Sequence, residues 1–90
     1  MILFVRGGIN MSEEQIYEKL KEIVADKLGI SEDEVTLEAN FIDDLGADSL
    51  YLNEIVYDIE EEFGIRVADE DFELLKTVKQ AVGYVADKLV

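Results

Sequence analysis

Three observations in this 90-residue sequence predict an all-α fold, a bundle of four helices with a long first loop and a short third helix. Ser12 with Gln15, Ser31 with Glu34 and Thr77 with Gln80 each form the reciprocal capping pattern that opens a helix. Apolar residues recur behind these caps at three- and four-residue steps, the period of a helix with one buried face. Gly29 and Gly64 stand where two of those stripes end: Gly29 is placed to close its helix in the left-handed conformation, and Gly64 stops the second.

The first helix is expected to begin at Ser12. Ile16, Leu20, Ile23, Val24 and Leu28 form its stripe, with Lys19, Lys21 and Lys27 off it. Ser31 and Glu34 then mark a single helical turn. The connection onward is irregular and needs apolar anchors, for which Val35, Leu37, Phe41, Ile42 and Leu45 are the candidates, with Phe41 in the core. The second helix is expected over about 49 to 63, with Leu52, Ile55, Val56, Ile59 and Phe63 facing inward. Glu54, Asp58, Glu60, Glu61 and Glu62 cover its other faces. Like charges at this density repel, so burial of the stripe must offset them. Residues 65–67 read as extended. Asp69 is expected to cap a brief helix to about Leu75 that buries Phe72 and Leu75. The last helix carries Val78, Ala81, Val82, Val85 and Leu89, and Gly83 weakens it by about 1 kcal/mol relative to alanine.

Composition removes whole classes of function. The formal net charge is −14, from 22 acids against 8 bases. Binding to a nucleic-acid backbone rests on Lys and Arg, so it is excluded as an expectation, and anionic membrane surfaces are disfavoured. No run is long enough to insert in a membrane. The balance favours basic protein partners. The chain has no cysteine and no histidine, hence no disulfide, no thiolate nucleophile, no Ser-His-Asp machinery and no zinc site of the usual kind. No catalytic residue and no metal ligand is assigned.

Residues 1–10 do not fit the rest. The apolar run Met1-Ile2-Leu3-Phe4-Val5 is too short for a secretory signal and has no charged region before it. It reads as an edge strand or tail. Alternatively Met11 is the natural start, since Arg6-Gly7-Gly8 is what a translated ribosome-binding site would give. The expected organisation is therefore a leader over 1–10 and one domain over 11–90, with a monomer as the default state.

Residues 43–50 organise the rest. A turn with acids on both sides of Gly46 delivers the Ser49 hydroxyl to a helix start, and no basic residue occurs between Leu28 and Ile65. Three readings compete. Asp48 or Ser49 could simply cap the second helix. A calcium loop fails, because Leu45 and Ala47 fall where alternate oxygen ligands belong. Covalent modification of Ser49 is the third: a helix N-terminus suits a phosphodiester, and Gly46 and Ala47 leave room for an enzyme to reach the hydroxyl.

The string Asp44-Leu45-Gly46-Ala47-Asp48-Ser49-Leu50 resembles the attachment motif of acyl carrier proteins of dissociated fatty acid synthesis. The likeness continues through Glu54-Ile55-Val56, Glu60-Glu61-Glu62-Phe63 and Thr77-Val78, and spans about residues 11 to 89. It implies a four-helix acyl-carrier-like bundle, matching the periodicity above. It implies that Ser49 carries 4′-phosphopantetheine, installed from coenzyme A by a phosphopantetheinyl transferase, whose thiol holds acyl groups as thioesters. It further implies a non-catalytic, cytoplasmic chain that meets acyl-processing enzymes through their basic patches. Asp48, Glu54, Tyr57, Glu60 and Glu61 fall at the family's partner-recognition positions. Phe41, Ile55, Val56, Ile59, Phe63 and Val82 fall where the family lines an acyl cavity. Tyr51, Asn53, Tyr57 and Ala68 depart from the housekeeping pattern and point to a specialised paralogue. The alternatives are a carrier for polyketide or aminoacyl (D-alanyl-type) substrates and an unmodified acidic adaptor subunit.

Overall fold

The computed structural model describes residues 12–89. The reading of residues 1–10 as a leader, and of Met11 as a start, lies outside the described residues.

Helix α1, Glu13–Leu28, opens on the expected box: Ser12 Oγ accepts from the Gln15 amide, and the Gln15 side chain accepts from the Ser12 amide. It ends at Gly29, which adopts φ +70° and donates to the Ala25 carbonyl. Ile16, Leu20 and Val24 are fully buried, Ile23 and Leu28 half-buried. Ser31 and Glu34 form the second box around a single 3-10 turn, Glu32–Glu34. Helix α2, Ser49–Phe63, buries Ile55, Val56 and Ile59 and stops at Gly64, φ +67°. Helix α3, Val78–Leu89, begins on the third box, where Thr77 and Gln80 exchange side-chain and amide bonds. Its Val78, Ala81, Val82 and Val85 complete a core shared with α1 and α2.

The short third helix is a 3-10 helix, Asp69–Leu74, and two expectations about it need correction. Asp69 is not its cap. Ala68 holds the capping position and makes no side-chain bond, so the acids of 69–71 all lie in the first turn. Leu75 is buried as expected, but Phe72 is only half-buried. The helix is tied down instead by a 2.5 Å hydrogen bond that the Tyr84 hydroxyl donates to Asp71 Oδ2.

The long loop is pinned to the start of α3 by main-chain bonds. Lys79 donates to the Leu37 carbonyl, Val78 to that of Ala39, and Phe41 to that of Lys76, all at 2.9–3.0 Å. Asn40 and Thr77 form an isolated antiparallel bridge. From α1, the Tyr17 hydroxyl donates to the Val35 carbonyl at 2.7 Å. Val35 and Phe41 anchor the loop in the core, and Leu37 and Leu45 are half-buried. Ile42 does not anchor it: the residue is 51% exposed. Ala39 and Ala47 take core positions instead, at 6% and 0% exposure.

Candidate functional site

The approach to Ser49 is built by Asn40. Its Oδ1 accepts from the amides of Ile42 and Asp43 at 3.0 and 2.9 Å, the side-chain mimic of a turn. Its own amide donates to Asp44 Oδ2 at 2.8 Å, and its carbonyl accepts from Asp44 and Leu45. This closed knot turns Phe41 inward and Ile42 outward, which explains why the loop's second bulky residue misses the core. Gly46 then takes φ +73°, with open space where a Cβ would stand. The residue is glycine for backbone reasons rather than for lack of room. Ala47 follows, fully buried, its amide donating to the Phe41 carbonyl at 2.9 Å. The expectation that Ala47 leaves room for an incoming enzyme is corrected here: it is a core anchor, and the open space lies at Gly46.

Asp48 is the cap of α2. Its Oδ1 accepts from the Tyr51 amide at 3.0 Å, and its carbonyl accepts from Leu52 at 2.9 Å. Ser49 is thereby released from capping. It is the first helical residue, exposed, and among the described residues its hydroxyl makes no hydrogen bond. The amides of Ser49 and Leu50, at the positive end of the helix, likewise meet no acceptor among those residues. No described group of three or more Asp or Glu is arranged to hold a metal ion. Among the described residues no basic group hydrogen-bonds the hydroxyl, and a serine without a base is a poor nucleophile.

The expected recognition residues are unequally placed. Asp48, Glu54, Tyr57 and Glu61 are exposed. Glu54 already pairs with Lys27 of α1 at 3.5 Å. Glu60 is half-buried, and its Oε2 accepts from the Val67 amide at 2.8 Å, bracing the extended segment after α2. The expected cavity residues Phe41, Ile55, Val56, Ile59 and Val82 are buried, and Phe63 packs half-buried beside them. Of these, Phe41 alone borders the open pocket at the first turn of α2. That pocket holds about 410 Å³ and is walled chiefly by Phe41, Ile42, Leu52, Phe72 and Leu75. Sequence reading missed Asn40 as the loop's organiser, although an Asn two and three residues ahead of the amides it binds is a known turn signal. It also missed Phe72 as a pocket wall, because its apolarity pointed to the core.

The fold is a small helical bundle in which Asp48 caps α2 and the Ser49 hydroxyl stays exposed, without a hydrogen-bond partner among the described residues. The family model described as "Phosphopantetheine attachment site" matches residues 18–85. An acyl carrier protein of Petrotoga mobilis is 48% identical over 79 residues, covering 88% of this chain and 93% of its own. One from Thermotoga maritima is 51% identical over 78 residues, covering 87% and 96%. Among solved structures, an acyl carrier protein of Enterococcus faecalis, noted for high thermal stability, superposes with a TM-score of 0.73 at 38% identity, covering 87% of this chain and 99% of that one. The chain belongs to the acyl carrier protein family, whose prosthetic group is covalently attached 4′-phosphopantetheine. No described helix is long and apolar enough to cross a membrane.

Proposed function

We propose that Ser49 is the attachment residue and that the chain holds acyl intermediates of fatty acid synthesis. The observation that carries this is the division of labour at the start of α2: Asp48 caps, and the exposed Ser49 hydroxyl has no other partner among the described residues. The residues present fit the group. An idle hydroxyl can form the phosphodiester, and two unpaired amides at the positive end of α2 favour its negative charge. When bound, the arm supplies the thiol that this cysteine-free chain lacks.

The chain's own residues then have limited tasks. The Asn40 knot and Asp48 fix where the hydroxyl emerges. Phe41, Leu52, Phe72 and Leu75 offer an apolar pocket that reaches α2 at Leu52, three residues after Ser49. Ile55, Val56, Ile59, Phe63 and Val82 form the packed wall behind, which an acyl chain would part. The chain catalyses nothing and is loaded and acylated by other enzymes in the cytoplasm. The carrier function resides in residues 11–90, in a monomer. The naming of the similar chains as acyl carrier proteins favours fatty acyl over aminoacyl cargo.

Intact mass is the test, before and after incubation with coenzyme A, magnesium and a promiscuous phosphopantetheinyl transferase. The expected result is a gain of one phosphopantetheine, mapped to Ser49 and absent in Ser49→Ala, followed by acylation when malonyl or fatty acyl donors and their transferases are added. A folded chain that gains nothing, or a Ser49→Ala variant that still loads, overturns the assignment.

A further inference from the structure

The acids of α2 are not equally available. Glu54, Asp58 and Glu62 recur every four residues, a row that winds from the outer face toward α1. Lys27 of α1 meets two of them, Glu54 Oε1 at 3.5 Å and Asp58 Oδ2 at 3.2 Å. Lys19 meets the third, Glu62 Oε2, at 3.0 Å. Lys27 is held above the ordinary lysine range chiefly by its hydrogen bond to Asp58, and Lys19 by that to Glu62. Glu60, on the other flank, is occupied by the Val67 amide. The outermost face of α2 therefore carries Leu50, Asn53, Tyr57 and Glu61, with Leu50 66% and Tyr57 60% exposed.

We propose that α1 carries a built-in competitor for basic partners: Lys27 and Lys19 withdraw Glu54, Asp58 and Glu62 from the docking face. The partner that engages most readily has an apolar socket for Leu50 and Tyr57 and a positive group for Glu61, while the acids of the row become available only as the lysines are displaced. A more basic partner must first displace the two lysines, so they set a threshold on which enzymes engage. Because these pairs are exposed, each is weak, and the threshold is a few-fold rather than absolute. The inference rests on the carrier reading only for its choice of partner enzyme.

The test compares wild type with Lys27→Met, Lys19→Met, Tyr57→Ala and the control Lys21→Met. The control removes the same charge but its lysine pairs within α1, with Glu18. Two readouts are taken across a salt series: kcat/KM for loading by a phosphopantetheinyl transferase, and affinity for a hexalysine peptide by calorimetry. Lys27→Met is expected to raise both about two- to five-fold at low salt and to steepen their fall with salt. Lys19→Met should act the same way more weakly, and Lys21→Met should change neither. Tyr57→Ala should cut kcat/KM about ten-fold while leaving peptide affinity and melting temperature unchanged. Equal effects of Lys27→Met and Lys21→Met, or lowered affinity in Lys27→Met, overturn the proposal. Failure to load at Ser49 in every variant removes the carrier reading, while the peptide titration still decides the lysine competitor.

Discussion

Replacing Asp48 and Ser49 separately distinguishes a structural residue from an idle one. Asp48 binds the Tyr51 amide, so Asp48→Ala leaves a helix-start donor without its partner and costs about 1 kcal/mol. Ser49 lies inside the first turn with no hydroxyl bond among the described residues, and alanine is the better helix former by up to roughly 0.5 kcal/mol. For a domain of this size each kcal/mol moves the melting temperature by about 6 °C. Asp48→Ala should therefore melt about 6 °C lower, and Ser49→Ala unchanged to about 3 °C higher. Asp48→Asn keeps the cap and should stay close to wild type. Differential scanning calorimetry on the unloaded proteins reads all three. A drop of several degrees in Ser49→Ala would refute the claim that its hydroxyl is structurally unused. An unmoved Asp48→Ala would place the cap elsewhere and remove the argument for the division of labour.

Gly83 sits in the interior of α3, and a Cβ added there meets nothing within 4 Å. Gly83→Ala should stabilise by about 1 kcal/mol, seen as a melting point raised by several degrees; no gain would mean that the glycine relieves a strain not visible in its surroundings. Tyr84 ionises above its ordinary pKa of 10.0 because its hydroxyl donates to Asp71, with burial adding to the shift. The folded chain thus favours the neutral phenol, a contribution complete below pH 10 and lost as pH rises through the raised value. Tyr84→Phe should lower stability by about 1 kcal/mol at pH 7, and the loss relative to wild type should shrink in urea titrations at about pH 11. A loss that stays constant with pH would assign the effect to packing.

The helices were legible because their signals are local and agree with one another. Three capping boxes, two glycine stops and the apolar stripes each depend on residues within a few positions, and each lies where its spacing predicts. The loop was legible only in part, since its conformation is decided by one side chain. Periodicity carries no information about whether Phe41 or Ile42 turns inward; the Asn40 amide and carbonyl bonds decide it. Ala39 and Ala47 were missed as anchors because a methyl group is too small to stand out in a hydrophobic pattern, yet main-chain bonds hold both against Phe41 and α3. The start of the 3-10 helix differs from expectation because an Asp shortly ahead of an apolar residue, as Asp69 is of Phe72, resembles a cap. A tertiary bond from Tyr84 fixes that segment, and such a bond leaves no trace in local sequence.

The motif around Ser49 is a set of neighbours that each take a structural duty. Asp44 closes the Asn40 knot, Gly46 makes the left-handed turn, Ala47 fills the core and Asp48 caps the helix. Without Asp48, the Ser49 hydroxyl is the nearest group able to bind a first-turn amide, and a hydroxyl so engaged is a poorer target for modification. Asp44, Gly46, Ala47 and Asp48 together supply the local structure that leaves the Ser49 hydroxyl exposed. That reasoning separates capping from chemistry: Asp48→Ala should slow loading beyond its cost in stability, whereas Asp48→Asn, which keeps the cap, should recover the part that depends on Ser49 remaining unengaged.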